Sequence, residues 1–322
     1  MRKTMKLRTF TALAARRSTF SKSHLSGDAT VLGYAKRVRQ LALLTLLAFT
    51  VAPAMAQNYS GLNLGTAANY AFVDTGATTL GWNSGPIAGS VLFGNNLNAQ
   101  LSGGNNGGLT NGGVLYYDST VKLSGSLQNQ PTETQVSTSV TQAATASAQS
   151  VSAYASSLAA TQTFSTINNT TTIIGNGGLN VIDVGSIQNA NITFSGTAND
   201  VFVINVTGTI NTNQVMALAG GVTAGHILFN MTGTSGNILQ TSGGDTLVGT
   251  FLAVDGGQFQ FSELNLNGAL INTDGNVQFV SGSKIPTFTP FAVPEPGSAM
   301  LFVGGACLFF WKRSRHSILR VA

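Results

Sequence analysis

Short apolar clusters rich in β-branched and aromatic residues recur along the second half of the chain, and they limit its fold more than any other feature. They are Thr172–Ile174, Asn191–Phe194, Val201–Ile204, Ile227–Phe229, Thr250–Val254, Gln258–Phe261, Ala269–Ile271 and Val277–Val280. From Gln57 to Pro131 the same texture appears in Tyr70–Val73, Ser90–Phe93 and Val114–Tyr117, separated by Gly and Asn turns. Many short strands of this kind build a sandwich, a barrel or a solenoid. Asp255-Gly256 and Asn267-Gly268 are hairpin signals that favour antiparallel pairing locally. The abundance of Asn, Gly and Thr favours stacked rungs, whose corners need positive φ and small side chains. Periodicity alone leaves solenoid and β-sandwich both open.

One stretch breaks the pattern. Thr132–Thr161 contains neither Gly nor Pro, and Val136, Val140, Ala144, Ser147, Val151, Tyr154 and Leu158 recur at spacings of three and four. That spacing predicts one long helix over about 132–161. Pro131 precedes a capping-box pattern with Thr132 as N-cap and Gln135 at N3. So many Ser and Thr make a mediocre helix in isolation, so it needs a β framework to lie on.

Charge separates the ends from the body. Charged residues are 8% of the chain, against roughly 25% in ordinary soluble domains. Ten of the sixteen bases lie before Gln40 and four more follow Trp311. Between Gln57 and Phe291 only Lys122 and Lys284 face nine acids, a net charge of −7 for that stretch. Two bases cannot neutralise a phosphate backbone, so nucleic acid is not an expected partner. The single cysteine, Cys307, lies near the C-terminus, which excludes an intrachain disulfide or thiolate metal site. No cofactor and no metal are expected.

The termini read as addresses. Basic residues ending at Arg39 precede an apolar run Leu41–Val51, then Ala54-Met55-Ala56 before Gln57. This is the layout of a secretory signal peptide read by the export machinery and cut by signal peptidase, with Ala54 and Ala56 at −3 and −1. Residues 1–56 form a signal whose polar region is over-long, and a true start near Val31 would restore ordinary length. At the other end Val293-Pro294-Glu295-Pro296 precedes an apolar run 299–311 closed by Trp311, Lys312, Arg313 and Arg315. This resembles the PEP-CTERM sorting signal of Gram-negative bacteria. The resemblance implies processing by the membrane protease exosortase, an inner-membrane intermediate anchored by the tail 286–322, and delivery to the cell surface or matrix. The apolar run has 13 residues, fewer than the roughly 17–25 of a full span.

The order of a Gly-rich β segment, a Ser/Ala/Thr helix and then Gly175–Ile210 carries a second resemblance, over roughly 57–285. Its most specific part is Thr197-Ala198-Asn199-Asp200-Val201-Phe202-Val203-Ile204-Asn205. This texture resembles the choice-of-anchor family of exported bacterial proteins and, more distantly, ice-binding-protein-like domains. The resemblance implies a mainly β fold, a right-handed β-solenoid with one long helix packed alongside. It also implies a surface-displayed domain with no catalytic residue.

Residues able to do chemistry are scarce in the body. His226 is its only histidine, so a Ser-His-Asp site would have to use it, and a lone His at a strand mouth reads as structural. No spacing pairs two of the nine acids for general acid–base work. Gly243-Gly244-Asp245 looks like one arm of a calcium-binding β-roll, but it occurs once and reads as a turn. Ser102–Gly113 lacks the lysine and helix of a phosphate loop and reads as a flexible turn. Thr193 and Ser195, Thr207 and Thr209, and Asn211 and Asn213 place hydroxyls or amides at i and i+2, on one face of a strand. The expected function is therefore non-enzymatic: structural or adhesive in exopolysaccharide or biofilm. The alternative is a lattice binder, of ice or crystalline polysaccharide, using a flat Thr/Asn-rich face.

Overall fold

The computed structural model describes residues 59–292, apart from 77, 103–106, 129–130, 235 and 281. Strands, numbered in chain order, stack as parallel rungs on three faces. On the first face, along the stack, lie β9 (Thr132–Val136), β7 (Val114–Asp118), β4 (Val91–Phe93), β1 (Phe72–Asp74), β21 (Asn265–Asn272), β19 (Thr246–Ala253), β17 (Ile227–Met231), β14 (Val201–Val206), β12 (Leu179–Gln188) and β10 (Gln162–Ile167). The second holds β8 (Lys122–Ser126), β5 (Asn98–Ser102), β2 (Thr79–Trp82), β22 (Val277–Val280), β20 (Gln258–Ser262), β18 (Asn237–Thr241), β15 (Ile210–Thr212) and the end of β12. The third holds β6 (Gly108–Thr110), β3 (Pro86–Ala88), β23 (Lys284–Thr287), the starts of β21 and β19, then β16 (Met216–Gly220), β13 (Ile192–Gly196) and β11 (Thr171–Ile174). The fold is the expected β-solenoid with one helix alongside, and the sandwich alternative falls away.

The rungs do not stack in sequence order. The chain enters mid-stack at β1, winds outward to β9, and returns along the side through helix α1 (Thr138–Ser157). It then winds back from β10 until β21 and β22 pair with β1 and β2. Twenty helical residues span about 30 Å, the height of roughly six rungs at about 4.8 Å each. Thr141, Ala144, Ala148, Val151, Ser152 and Ala155 form the buried stripe of α1. Small residues there let the helix settle on Val73, Leu92, Val203, Leu228, Leu252 and Ile271, which belong to the same buried cluster. Leu62, Leu64 and Ala67 join that cluster, from 3-10 turns that pack on the helix. Inside the solenoid a second core contains Phe72, Trp82, Phe93, Phe194, Phe229, Phe251, Phe261 and Phe279, with Phe229 and Phe251 stacked at 4.4 Å.

Three local expectations need correcting. Thr132–Val136 is strand, not the first turns of the helix, and Ser137 is the N-cap. Thr132, Thr134 and Val136 alternate at period two, and pairing with β7 satisfies their backbone. Asp255-Gly256 and Asn267-Gly268 do not make hairpins, because every strand pairing around them is parallel. Gly268 instead bends β21 around a corner at φ 154°, where an added Cβ would lie 1.9 Å from the Gly249 carbonyl oxygen. Within Ser102–Gly113, Gly108–Thr110 is a strand followed by a turn with Asn111 and Gly112 at positive φ. The body also continues past 285. Phe291 is buried and the Ala292 N–H donates to the Gly225 carbonyl at 2.7 Å.

Among the described residues no helix is long and apolar enough to cross a membrane. The signal residues Ala54, Ala56 and Gln57 lie outside them, as do the sorting motif Val293–Pro296 and the tail with Trp311, Lys312, Arg313 and Arg315.

Candidate binding face

Along most rungs of the second face buried and outward residues alternate, with a register irregularity at Asn237–Leu239 in β18. Leu80, Trp82, Ala99, Leu101, Leu239, Phe259, Phe261, Val277 and Phe279 point inward and are buried. The residues between them must then point out. Phe261 and Phe279 sit 5.1 Å apart beneath the surface, and the Trp82 indole N–H is satisfied by the Gly85 carbonyl at 3.1 Å.

Register then aligns the outward residues into a column. Ser124 faces Gln100, Gln100 faces Gly81, and Gly81 faces Gln278. Gln278 faces Gln260, Gln260 faces Gln240, Gln240 faces Asn211, and Asn211 faces Gln188. Side-chain amides therefore repeat at the rung spacing of about 4.8 Å. Thr79 and Asn98 face each other in a flanking column that ends in Lys122, with Gln258 and Asn237 paired farther along. Side chains brace one another: Asn237 Nδ2 donates to Gln260 Oε1 at 2.6 Å, and Asn276 Oδ1 accepts the Thr79 N–H at 3.0 Å. Gly81 interrupts the amide column and leaves a groove of about 230 Å³, walled by Thr79, Asn83, Gln100, Gln260 and Gln278. No carboxylate lines it. The amide column and its groove are neutral, and each amide offers donors and an acceptor.

The six residues expected to form a binding face are not brought together. Thr193 and Ser195 stand on the third face, where their rung neighbours on β16 are Ala217 and Ala219. Thr207 and Thr209 lie at the corner between β14 and β15, with Thr209 Oγ1 accepting from Gln188 Nε2 at 3.1 Å. Asn211 belongs to the amide column, and Asn213 lies beyond β15. Sequence reasoning missed the glutamines. For three of them a signal was present, an apolar frame on both sides: Ala99-Gln100-Leu101, Phe259-Gln260-Phe261 and Val277-Gln278-Phe279.

His226 ends a 3-10 turn, and its Nδ1 is buried without a hydrogen-bond partner. Burial lowers its pKa, so it is neutral at pH 7. Asp245 closes the turn after β18, accepting the Ser242 N–H at 3.0 Å. Burial raises its pKa to about 6, against the pull of backbone N–H groups. Among the described residues no group of three or more His, Cys, Asp or Glu is gathered. Asp200, in the segment that carries the family resemblance, locks a turn. It accepts from the Gly177 N–H, the Asn180 amide, and both the N–H and hydroxyl of Thr197. Burial alone would raise its pKa, but these bonds outweigh it and hold it below the usual range.

A family model described as an ice-binding-like adhesive domain matches residues 56–281. Curated protein sequences gave no match. Among solved structures, an ice-binding protein from an Arctic yeast, studied for its antifreeze activity, matches with TM-score 0.52 and 16% identity, over 72% of this chain and 95% of its own. A domain of an ice-binding protein from Shewanella frigidimarina matches with TM-score 0.52 and 13% identity, over 71% and 97%. At these identities the likeness establishes a shared fold.

Proposed function

The chain belongs to the ice-binding-like adhesive domain family, and from that premise we propose that it is a non-enzymatic, exported adhesive protein whose amide face grips an extended, hydroxyl-rich polymer such as an exopolysaccharide. One observation carries the reading: the column Gln100–Gly81–Gln278–Gln260–Gln240–Asn211, in continuous register. The rung spacing is close to the length of one sugar unit in an extended β-linked chain. Each rung then meets one unit, and each amide donates to one hydroxyl and accepts from another. The groove at Gly81 admits a substituent that the rest of the column would exclude. Neutral groups keep this grip insensitive to pH and salt. Replacing Gln240, Gln260 and Gln278 together with alanine should weaken co-sedimentation with insoluble polysaccharide at least about tenfold, since each lost hydrogen bond contributes on the order of 1 kcal/mol. Unchanged retention by a folded triple variant would refute the face.

A second reading, adsorption to ice, is favoured by the fold shared with the yeast and Shewanella proteins. Glutamine suits it poorly, because ordering a long side chain costs up to about 2 kcal/mol, whereas threonine is stiff at χ1. Measurable thermal hysteresis would favour this alternative.

The termini complete the proposal. Signal peptidase cuts before Gln57, and exosortase reads Val293-Pro294-Glu295-Pro296 while Trp311, Lys312, Arg313 and Arg315 hold the tail at the inner membrane of a Gram-negative cell. Delivery to the surface or biofilm matrix follows. N-terminal sequencing of secreted protein should find Gln57. Changing Pro294, Glu295 and Pro296 to alanine should retain the protein in the inner membrane, and normal export of that variant would remove exosortase from the account.

A further inference from the structure

A larger depression lies away from the amide face, where the end of α1 overhangs the corner between the first and second faces. Its volume is about 470 Å³, and Ser156, Phe164, Asp183, Asn205, Thr207 and Thr232 are among its lining residues. Gly185 lines it without a side chain. An added Cβ on Gly185 would lie 2.3 Å from the Ser165 carbonyl oxygen, and one on Gly208 would lie 2.5 Å from that of Gly185. Close stacking of the rungs therefore leaves no room for a side chain at Gly185 or Gly208.

The wall is a polar ladder in register, Asp183–Asn205–Asn230. Asn230 Nδ2 donates to Asn205 Oδ1 at 2.9 Å and to the Ser152 carbonyl at 3.2 Å. Asn205 Nδ2 donates to the Ala155 carbonyl at 3.0 Å and to Asp183 Oδ1 at 3.1 Å. The donors of both amides are thus spent capping the helix end and holding Asp183 in place. What the trough presents is a carboxylate beside a helix C-terminus, itself a pole of negative potential. No Lys, Arg or His lines the trough. Thr163 is the rung neighbour of Asp183 and Phe164 that of Val184, and the half-buried Phe164 lines the same trough together with Thr207 and Thr232.

We propose that this trough is a second binding site, for one sugar unit bearing a free amine. A pyranose matches its mixed character: the ring's C–H face lies on Phe164, and its hydroxyls meet the threonines and Ser156. The carboxylate and the helix pole select a protonated amine over a hydroxyl or an acetamide. The site does not depend on the amide face, which lies on other side chains.

The test uses the full-length secreted protein and three probes, glucosamine, N-acetylglucosamine and glucose, followed by backbone NMR shifts at Gly185, Thr207 and Thr232. Glucosamine should move these signals at concentrations about tenfold lower than the other two. Asp183→Asn should abolish that preference while keeping the Asn205 contact and the fold. Phe164→Leu should weaken all three sugars alike. No shift with wild type, equal response to all three sugars, or a glucosamine preference that survives in Asp183→Asn would each overturn the proposal. Polysaccharide co-sedimentation of Asp183→Asn should match wild type, so failure of the trough and failure of the amide face can be told apart.

Discussion

The first and second faces are built from the same rungs, yet their outward residues have opposite fates. On the first, Val73, Leu92, Val203, Leu228, Leu252 and Ile271 point outward and are buried beneath α1. On the second, Gln100, Gln240, Gln260 and Gln278 occupy the equivalent outward positions and stay accessible. A β-solenoid has no intrinsic inside-only polarity, and what it writes on each outward column decides whether that face recruits its own chain or something foreign. The first face needs its cover for stability. The second is spared that task and is available for binding.

The contrast is broken most severely by placing a charge under the helix. Leu228→Asp buries an unpaired carboxylate at a site with 0% exposure and should cost about 4 kcal/mol or more, enough to prevent cooperative folding. Thermal denaturation by circular dichroism reads this directly. Gln260→Asp on the second face should shift stability by only about 0.5 kcal/mol. Comparable losses in the two variants would mean that the faces are not distinct.

Asp74 sharpens the same point from inside the stack, at the junction where β1 meets β21. Both carboxylate oxygens are buried without a hydrogen-bond partner, and burial pushes the pKa well up. A raised carboxyl pKa means that the fold favours the neutral form. Stability is therefore present at low pH and lost as pH rises above the ordinary carboxylate range through the raised value. Asp74→Asn should raise the melting temperature at pH 8, by an amount equivalent to about 1–3 kcal/mol, and change little at pH 4. A pH-independent effect would contradict this.

Asp118 works the opposite way, as the tie between helix and solenoid. It accepts from Thr141 on α1 at 2.6 Å, and from Thr120 and the Asn95 N–H. Burial opposes its ionisation, but those bonds prevail and lower the pKa. Its contribution is therefore present above the ordinary carboxylate range and lost as pH falls through the depressed value. Asp118→Asn should cost on the order of 1 kcal/mol at pH 7, with the deficit shrinking in acid. The smallest expected effect is that of Gly81→Gln. An added Cβ meets only ordinary contacts, at 3.8 Å from Gln278, so the column should close without loss of stability and polymer affinity should change by only a few fold.

The helix face was legible in advance because its residues are apolar at helical or strand spacing, as in Val201-Phe202-Val203-Ile204 and the Val140–Val151 stripe. Parallel stacking was not, because Asn267-Gly268 carries the same residues whether it turns a hairpin or bends a rung. The start of α1 was misread because Thr132–Val136 fits both a capped helix and an alternating strand, and only pairing with β7 decides. Of the six residues expected on one face, Asn211 falls in the amide column, while Thr193 and Ser195 stand on another face. Cross-rung alignment joins residues about twenty apart, such as Gln240 and Gln260, and no local pattern reveals which columns share a face.

The central claim is that the amide column touches the polymer. Side-chain amide resonances of Gln100, Gln240, Gln260 and Gln278 report on that contact one rung at a time during titration with soluble polysaccharide fragments. The account predicts that these four shift together while Thr193 and Ser195 on the third face stay still. Saturable binding that moves Thr193 and Ser195 and leaves the four glutamines unchanged would contradict it.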